Sequence, residues 1–156
     1  MENYREINGD LILLAMQGRF DAIAHGCNCF CTQGAGIAYQ MSKKFSTDKF
    51  NLEKDKYKAD INKLGQIDYS EFEMSFENKK DHVLFVINAY TQYFPGKDGS
   101  YDALKICLKK INHIFKGQHI GLPQIGCGIA GLDWEVVREI IQKELKDCEV
   151  TVVIFE

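Results

Sequence analysis

The sequence predicts an α/β fold in three layers, with a mostly parallel but mixed central sheet between two layers of helices. Three observations predict it. Through the second half of the chain, strand-length apolar runs alternate with stretches of helical periodicity, the pattern of strands joined by crossover helices. One run, Val83 to Ala89 (VLFVINA), is apolar almost without interruption, as a strand buried on both faces must be. Two glycine-rich segments, Gln33-Gly34-Ala35-Gly36-Ile37-Ala38 and Gly126-Cys127-Gly128-Ile129-Ala130-Gly131, each follow an apolar run and each open a helix-like stretch.

In chain order, Phe20 to Gly26 (FDAIAHG) reads as a buried strand closed by glycine, and a helix follows from Ile37 to about Phe45. Lys49 to Lys63, rich in Lys, Asp and Asn, reads as a solvated helical or irregular excursion. Ile67 and Tyr69, then Phe72, Met74 and Phe76, alternate in two opposite phases, which predicts a strand near an edge with a bulge or bend near Ser70 and Glu71. The buried strand Val83 to Ala89 comes next, and Pro95-Gly96-Lys97-Asp98-Gly99 marks the loop after it. Asp102 starts a helix whose Leu104, Leu108, Ile111 and Phe115 recur at helical spacing. His119 to Pro123 is a strand, Trp134, Val137, Ile141 and Leu145 stripe a second helix, and Val150 to Phe155 is the last strand. A length of 156 residues fits one domain over residues 1–156.

Composition narrows the function classes. A net charge of -3 leaves no broad basic field, so general nucleic-acid binding is not expected. No run approaches the ~20 apolar residues that span a bilayer, and Met1-Glu2-Asn3-Tyr4-Arg5 does not open a leader, so a soluble, cytoplasmic protein without membrane partners is expected. Among the six cysteines, Cys27, Cys29 and Cys31 crowd together, but neither a Cys-x-x-Cys nor a His-x-x-x-His spacing occurs. Free thiols, no metal and no cofactor are therefore expected.

The glycine segments carry the chemistry. A strand ending in glycines and feeding a helix presents free backbone N–H groups at the positive end of a helix dipole, which suits a phosphate. Either segment alone is equally a tight turn, but two at one sheet edge suit a diphosphate. Ligands of such sheets bind at the carboxyl ends of strands, and neighbouring strands lie only ~4.8 Å apart. The familiar nucleotide motifs do not fit: Tyr39 stands where a dinucleotide fingerprint needs a third small residue, and no glycine is followed by the Gly-Lys of a P-loop. A helix dipole at Cys127 would lower its thiol pKa, but a phosphocysteine mechanism needs an arginine six residues on. That place holds Asp133, so Cys127 reads as a packing residue. His25 and Asn28 flank the end of a buried strand, where polar side chains are costly unless bonded. Either a satisfied structural histidine with an Asn turn, or an acid, base or ribose contact, fits. Asp98 and Asp133 also lie near the expected mouth, Asp133 with a plain alternative as helix N-cap.

Five ordered segments carry a family resemblance over nearly the whole chain: Asn8-Gly9-Asp10-Leu11, Ala22-Ile23-Ala24-His25-Gly26-Cys27-Asn28-Cys29, Gly34-Ala35-Gly36-Ile37-Ala38-Tyr39-Gln40, Asn88-Ala89-Tyr90-Thr91-Gln92, and Pro123-Gln124-Ile125-Gly126-Cys127-Gly128-Ile129-Ala130-Gly131-Leu132-Asp133-Trp134. Together they resemble a macrodomain, the three-layer α/β/α fold that binds ADP-ribose. The resemblance implies that Asp10 holds the adenine amino group with Leu11 beside it, that Phe155 sets a ring against adenine, and that Asn28 meets the distal ribose. Gln33, Gly34, Ala35, Gly36, Ile37 and Ala38, with Gly126, Cys127, Gly128, Ile129, Ala130 and Gly131, would cradle the diphosphate and distal ribose. The segments around His25 and Ile37 are most similar to the ADP-ribose-1''-phosphate phosphatase branch, which implies His25 and Asp98 as a catalytic pair, with Asn28 beside them. The implied ligand is ADP-ribose or ADP-ribose-1''-phosphate, with ADP-ribosylated macromolecules as further partners. Gly-Leu-Asp-Trp also looks like members that remove ADP-ribose from protein or nucleic acid. The lysine and aspartate those members use would fall near Gln92 and Ala130, and this chain lacks both. A reader of ADP-ribose without turnover is the third reading.

Overall fold

The computed structural model describes residues 3–50, 59–76 and 79–155. The chain runs β1 (Tyr4–Gly9), α1 (Leu11–Met16), β2 (Ala22–Asn28), α2 (Gly36–Phe45), β3 (Ile67–Phe76), β4 (Lys79–Gln92), α3 (Tyr101–Ile114), β5 (His119–Leu122), α4 (Trp134–Glu144) and β6 (Glu149–Phe155). The strands form one sheet in the order β1-β6-β5-β2-β4-β3. Every neighbouring pair is parallel except β3 with β4.

Strand alternation builds the layers. Ala22 and Ala24 of β2, Ile87 and Ala89 of β4, and Val150 and Val152 of β6 turn to one face, where they bury Leu104, Leu108 and Ile111 of α3 and Val137 and Ile141 of α4. Ile23, Leu84, Val86 and Val153 turn to the other, against Leu11 and Ala15 of α1 and Met41 and Phe45 of α2. The predicted helical stripes are these buried faces, and Leu104, Leu108 and Ile111 are inaccessible to solvent. Gly121 on β5 admits the Phe20 ring, which would lie 2.8 Å from any Cβ there.

Three expectations are corrected, and two elements are added. The two phases of β3 come from an unbroken strand: Ser70 and Glu71 pair regularly with Val86 and Phe85, and the register shift falls between Met74 and Phe76. Each end of this edge strand is covered by a different layer, Tyr69 by Phe115 and Phe72 by Phe45, so apolar residues are needed on opposite faces at its two ends. The helix expected from Asp102 begins at Tyr101, capped by Ser100. β1 and α1 were not anticipated: β1 is an edge strand without apolar alternation, and α1 has six residues, too short to display a period. Within the predicted excursion, Thr47–Lys49 and Ile61–Lys63 are 3-10 turns, and Lys63 is buried rather than solvated, its Nζ 3.5 Å from the Cys29 carbonyl. Residues 51–58 lie outside the described residues.

Candidate functional site

Three helices start with a side chain that satisfies a first-turn N–H: Asp10 for α1, Ser100 for α3 and Asp133 for α4. At α2 the N-cap is Ala35, which has no such group, and Gly36 takes a positive φ of 60° that favours glycine. A helix entered this way keeps first-turn N–H groups available to an anion, with the helix dipole behind them. Gly34 to Ala38 form one wall of a cavity of about 460 Å³.

Gly126, Gly128, Ile129 and Ala130 form the facing wall. Their loop folds on itself through Leu132 N to Gly126 O at 2.9 Å and Gly131 N to Gly128 O at 3.1 Å. Gly126 has φ +76°, and a Cβ there would come within 2.8 Å of Leu132 Cδ1. Contrary to the expectation from its sequence, this segment does not open a helix directly, because α4 starts only at Trp134. Its capacity for an anion lies in loop amides. The two walls face each other because β2 and β5, which feed them, are adjacent parallel strands.

The floor is Gly26, Cys27 and Asn28 at the end of β2, and the remaining sides come from Thr32, from Thr91, Gln92, Pro95 and Gly96, and from Pro123, Gln124 and Ile125. Of the residues that the sequence singled out, Asn28, Gly34, Ala35, Gly36, Ile37, Ala38, Gly126, Gly128, Ile129 and Ala130 line the cavity together. Asn28 also shapes its rim: Oδ1 accepts from Phe30 N at 3.0 Å and Thr32 N at 3.3 Å, and Nδ2 donates to Thr32 O at 2.9 Å.

Other expected residues stand elsewhere. His25 faces the α1/α2 layer, wholly buried, its Nε2 2.7 Å from Asn88 Oδ1, and is not part of the cavity lining. Burial pushes its pKa down to about 4, with the Asn88 bond acting in the opposite direction, so the ring is neutral at pH 7. Asp98 is exposed, and its Oδ2 accepts from Phe94 N at 2.9 Å, closing the Pro95–Gly96 turn from outside the lining. Both sit on elements that border the site, yet burial against Asn88 and a local turn give their side chains other partners. Gln33 is buried next to the first loop, and Cys127, half-buried, and Gly131, exposed, belong to the second loop without lining the cavity. Burial, followed by Asp133, raises the Cys127 thiol to about 11, the reverse of a helix-dipole effect. Asp133 caps α4, accepting from Glu135 N at 2.9 Å. Asp10 caps α1 through Leu13 N at 3.1 Å and borders a separate hollow of about 580 Å³ between α1 and α2, while Leu11 is in the core. Phe155 pairs with Gly9 in register and is 67% exposed, so Asp10 and Phe155 share the sheet edge beyond the cavity.

Thr91, Gln92 and Gln124 were missed as cavity residues. The signal was available: polar residues that continue β4 past Ala89 and β5 past Leu122 stand where ligands of parallel sheets bind. Among the described residues, no cluster of side chains suits a metal ion, and no helix is long and apolar enough to cross a membrane.

Known proteins resemble this chain in sequence and in fold. The chain is 35% identical over 157 residues to an uncharacterised 17.5 kDa protein of Enterobacteria phage T4, covering 96% of this chain and 95% of that protein. It is 27% identical over 153 residues to the Homo sapiens ADP-ribose glycohydrolase OARD1, covering 94% of this chain and 88% of the human protein. Thermosipho africanus DarTG, solved in complex with ADP-ribose, superposes with a TM-score of 0.76 at 18% identity, over 99% of this chain and 42% of that one. The Macro domain family model matches residues 24–141, from the middle of β2 into α4 and across both glycine walls, and the chain belongs to the Macro domain family.

Proposed function

We propose that the chain binds ADP-ribose, with its diphosphate between the two glycine walls, and hydrolyses ADP-ribose-1''-phosphate to ADP-ribose and phosphate. The observation that carries this reading is that Gly34 to Ala38 and Gly126 to Ala130 face one another across a single cavity from adjacent strands. Amides from both sides then reach one pair of linked phosphates without a counter-cation.

The lining also bears on the reaction. Among the described residues that form it, none carries a carboxylate, an imidazole or an amine, and burial raises the one thiol, that of Cys27, well above its ordinary pKa. A bond at the anomeric carbon breaks without a protein acid when the departing group is already a stable anion. Phosphate is such a group. In this reading the C1''–O bond breaks, phosphate leaves with the electron pair, and water adds to C1'' and loses a proton. The preorganised amides and dipoles of the walls hold the diphosphate and ribose in place for that step.

The similarity to an ADP-ribose glycohydrolase favours one second reading, in which the departing anion is a protein carboxylate esterified to C1''. The same pocket chemistry serves both. The test is parallel incubation with ADP-ribose-1''-phosphate and with a carboxylate-linked ADP-ribosyl protein, alongside calorimetry with ADP-ribose. Phosphate release supports the first reading, and loss of label from protein supports the second. Binding without either product makes the chain a reader, and no binding overturns all three.

A further inference from the structure

Behind the first glycine wall, β2, β4 and β3 present a strip of polar side chains in one row. His25 pairs in register with Asn88, and Asn88 with Asp68. Asn88 Nδ2 donates to Asp68 Oδ1 and to the Thr47 carbonyl, each at 2.8 Å, so its Oδ1 is left to accept from His25 Nε2 and from Cys27 Sγ at 3.4 Å. Tyr90 donates to the second Asp68 oxygen. From Thr47 the connection turns back toward the cavity: its Oγ1 donates to Gln33 Oε1, and Gln33 Nε2 lies 3.7 Å from Cys27 Sγ. His25, Asn88 and Thr47 are at most 1% exposed, and Gln33 is 9% exposed.

Gln33 immediately precedes the glycine wall, and Thr47 follows the end of α2 at Phe45. The two bonded side chains therefore pin both ends of the loop-and-helix unit whose first-turn amides front the cavity. A polar network in a closed interior costs desolvation, and apolar side chains of the same shape are often no less stable there. What the bonds add is direction, since each fixes the relative orientation of the two side chains it joins. We propose that Gln33 and Thr47 are positioning residues: with Asn88 as their anchor, they hold Gly34 to Ala38 in the ligand-ready geometry before any ligand arrives. The inference rests on the ADP-ribose reading for its functional consequence, and on the ligand-free protein for its structural content.

The experiment compares Thr47→Val, which keeps the shape and removes the hydroxyl, with Thr47→Ser, which keeps the hydroxyl, and repeats the comparison with Gln33→Met. Hydrogen exchange of the Gly34 to Ala38 amides is followed without ligand, and ADP-ribose affinity is measured by calorimetry at a temperature where circular dichroism finds each variant folded. Thr47→Val and Gln33→Met are expected to speed exchange at these amides and weaken binding about tenfold, while Thr47→Ser stays within twofold of the wild type. Unchanged exchange in Thr47→Val and Gln33→Met, or a loss in Thr47→Ser as large as in Thr47→Val, overturns the proposal. Should the wild type take up no ADP-ribose, the proposed function falls, and the exchange comparison still decides whether Gln33 and Thr47 order the loop.

Discussion

His25 Nε2 donates a 2.7 Å hydrogen bond to Asn88 Oδ1 on the adjacent strand, and because both Asn88 N–H groups are given to Asp68 and Thr47, the tautomer of the ring is settled. The proton sits on Nε2 and Nδ1 is bare. Nδ1 is buried and has no partner among the described residues. A second proton would have to enter a closed, low-dielectric site, and this is why the ring resists protonation.

This resistance links His25 to stability. In the unfolded chain the imidazole takes up a proton near its ordinary 6.5, while the folded pKa is about 4, so the unfolded state binds more protons in between. Stability is therefore expected to fall as pH drops from about 6.5 to about 4, by on the order of 3 kcal/mol, and to lose nothing further to this group at lower pH. Denaturant titrations at a series of pH values should show the slope in the wild type. His25→Gln keeps a donor for Asn88 without titrating, and should flatten that part of the curve. An equal slope in both proteins would remove His25 as its source.

Gly34 and Gly128 offer a direct test of the two walls. A Cβ at either meets nothing within 4 Å, and neither has a positive φ. Gly34→Glu and Gly128→Glu should thus fold with melting temperatures close to the wild type, yet set a carboxylate against the bound diphosphate. Affinity for ADP-ribose is expected to fall at least tenfold in each, measured by calorimetry. Binding unchanged in both would place the diphosphate elsewhere.

Cleavage at C1''–O leaves every phosphate oxygen where it was. Phosphate released in ¹⁸O-water should therefore carry no label, and mass spectrometry of the product phosphate is the readout. The released ADP-ribose is uninformative, because its open-chain form exchanges the anomeric oxygen with water. Labelled phosphate would mean that water attacks phosphorus and the P–O bond breaks, and would overturn cleavage at C1''–O.

The Cys127 thiol, raised to about 11 by burial and then by Asp133, is almost entirely protonated at pH 7. Because the thiolate is the reactive form, alkylation by iodoacetamide should be slow at pH 7 and accelerate only as the pH approaches that value. Peptide mapping after timed exposure checks this. Rapid modification of Cys127 at pH 7 would revive a nucleophilic thiol in the second loop.

Much of this was legible in the chain because it depends on local periodicity. The stripes Leu104-Leu108-Ile111-Phe115 and Val137-Ile141-Leu145 are the buried faces of α3 and α4, and the run from Val83 is a central strand. The glycine segments marked the walls because only a short list of residues enters such turns. The doubled phase of β3 was visible but misassigned to a bulge, since one dimension does not tell a slipped register from a strand covered by different layers at its two ends. β1 stayed hidden for a related reason: as an edge strand beside β6 it needs little apolar patterning of its own.

The residues thought to do chemistry show where local signal runs out. His25 and Gly26 are neighbours in sequence, yet Gly26 reaches the cavity floor at the end of β2 while His25 lies one residue deeper, its ring buried against Asn88. Asp98 follows a cavity residue by two positions, and its carboxylate closes its own loop on Phe94. By itself the sequence determined which backbone can turn tightly and which side chains seek an interior, because those are properties of single residues and their spacing. Tertiary structure alone decided that two distant glycine loops share one cavity, and that His25, Asn88, Thr47 and Gln33 stand behind it as one network. Those outcomes depend on strand order and on which face each residue takes, and both are set only when the sheet has been assembled.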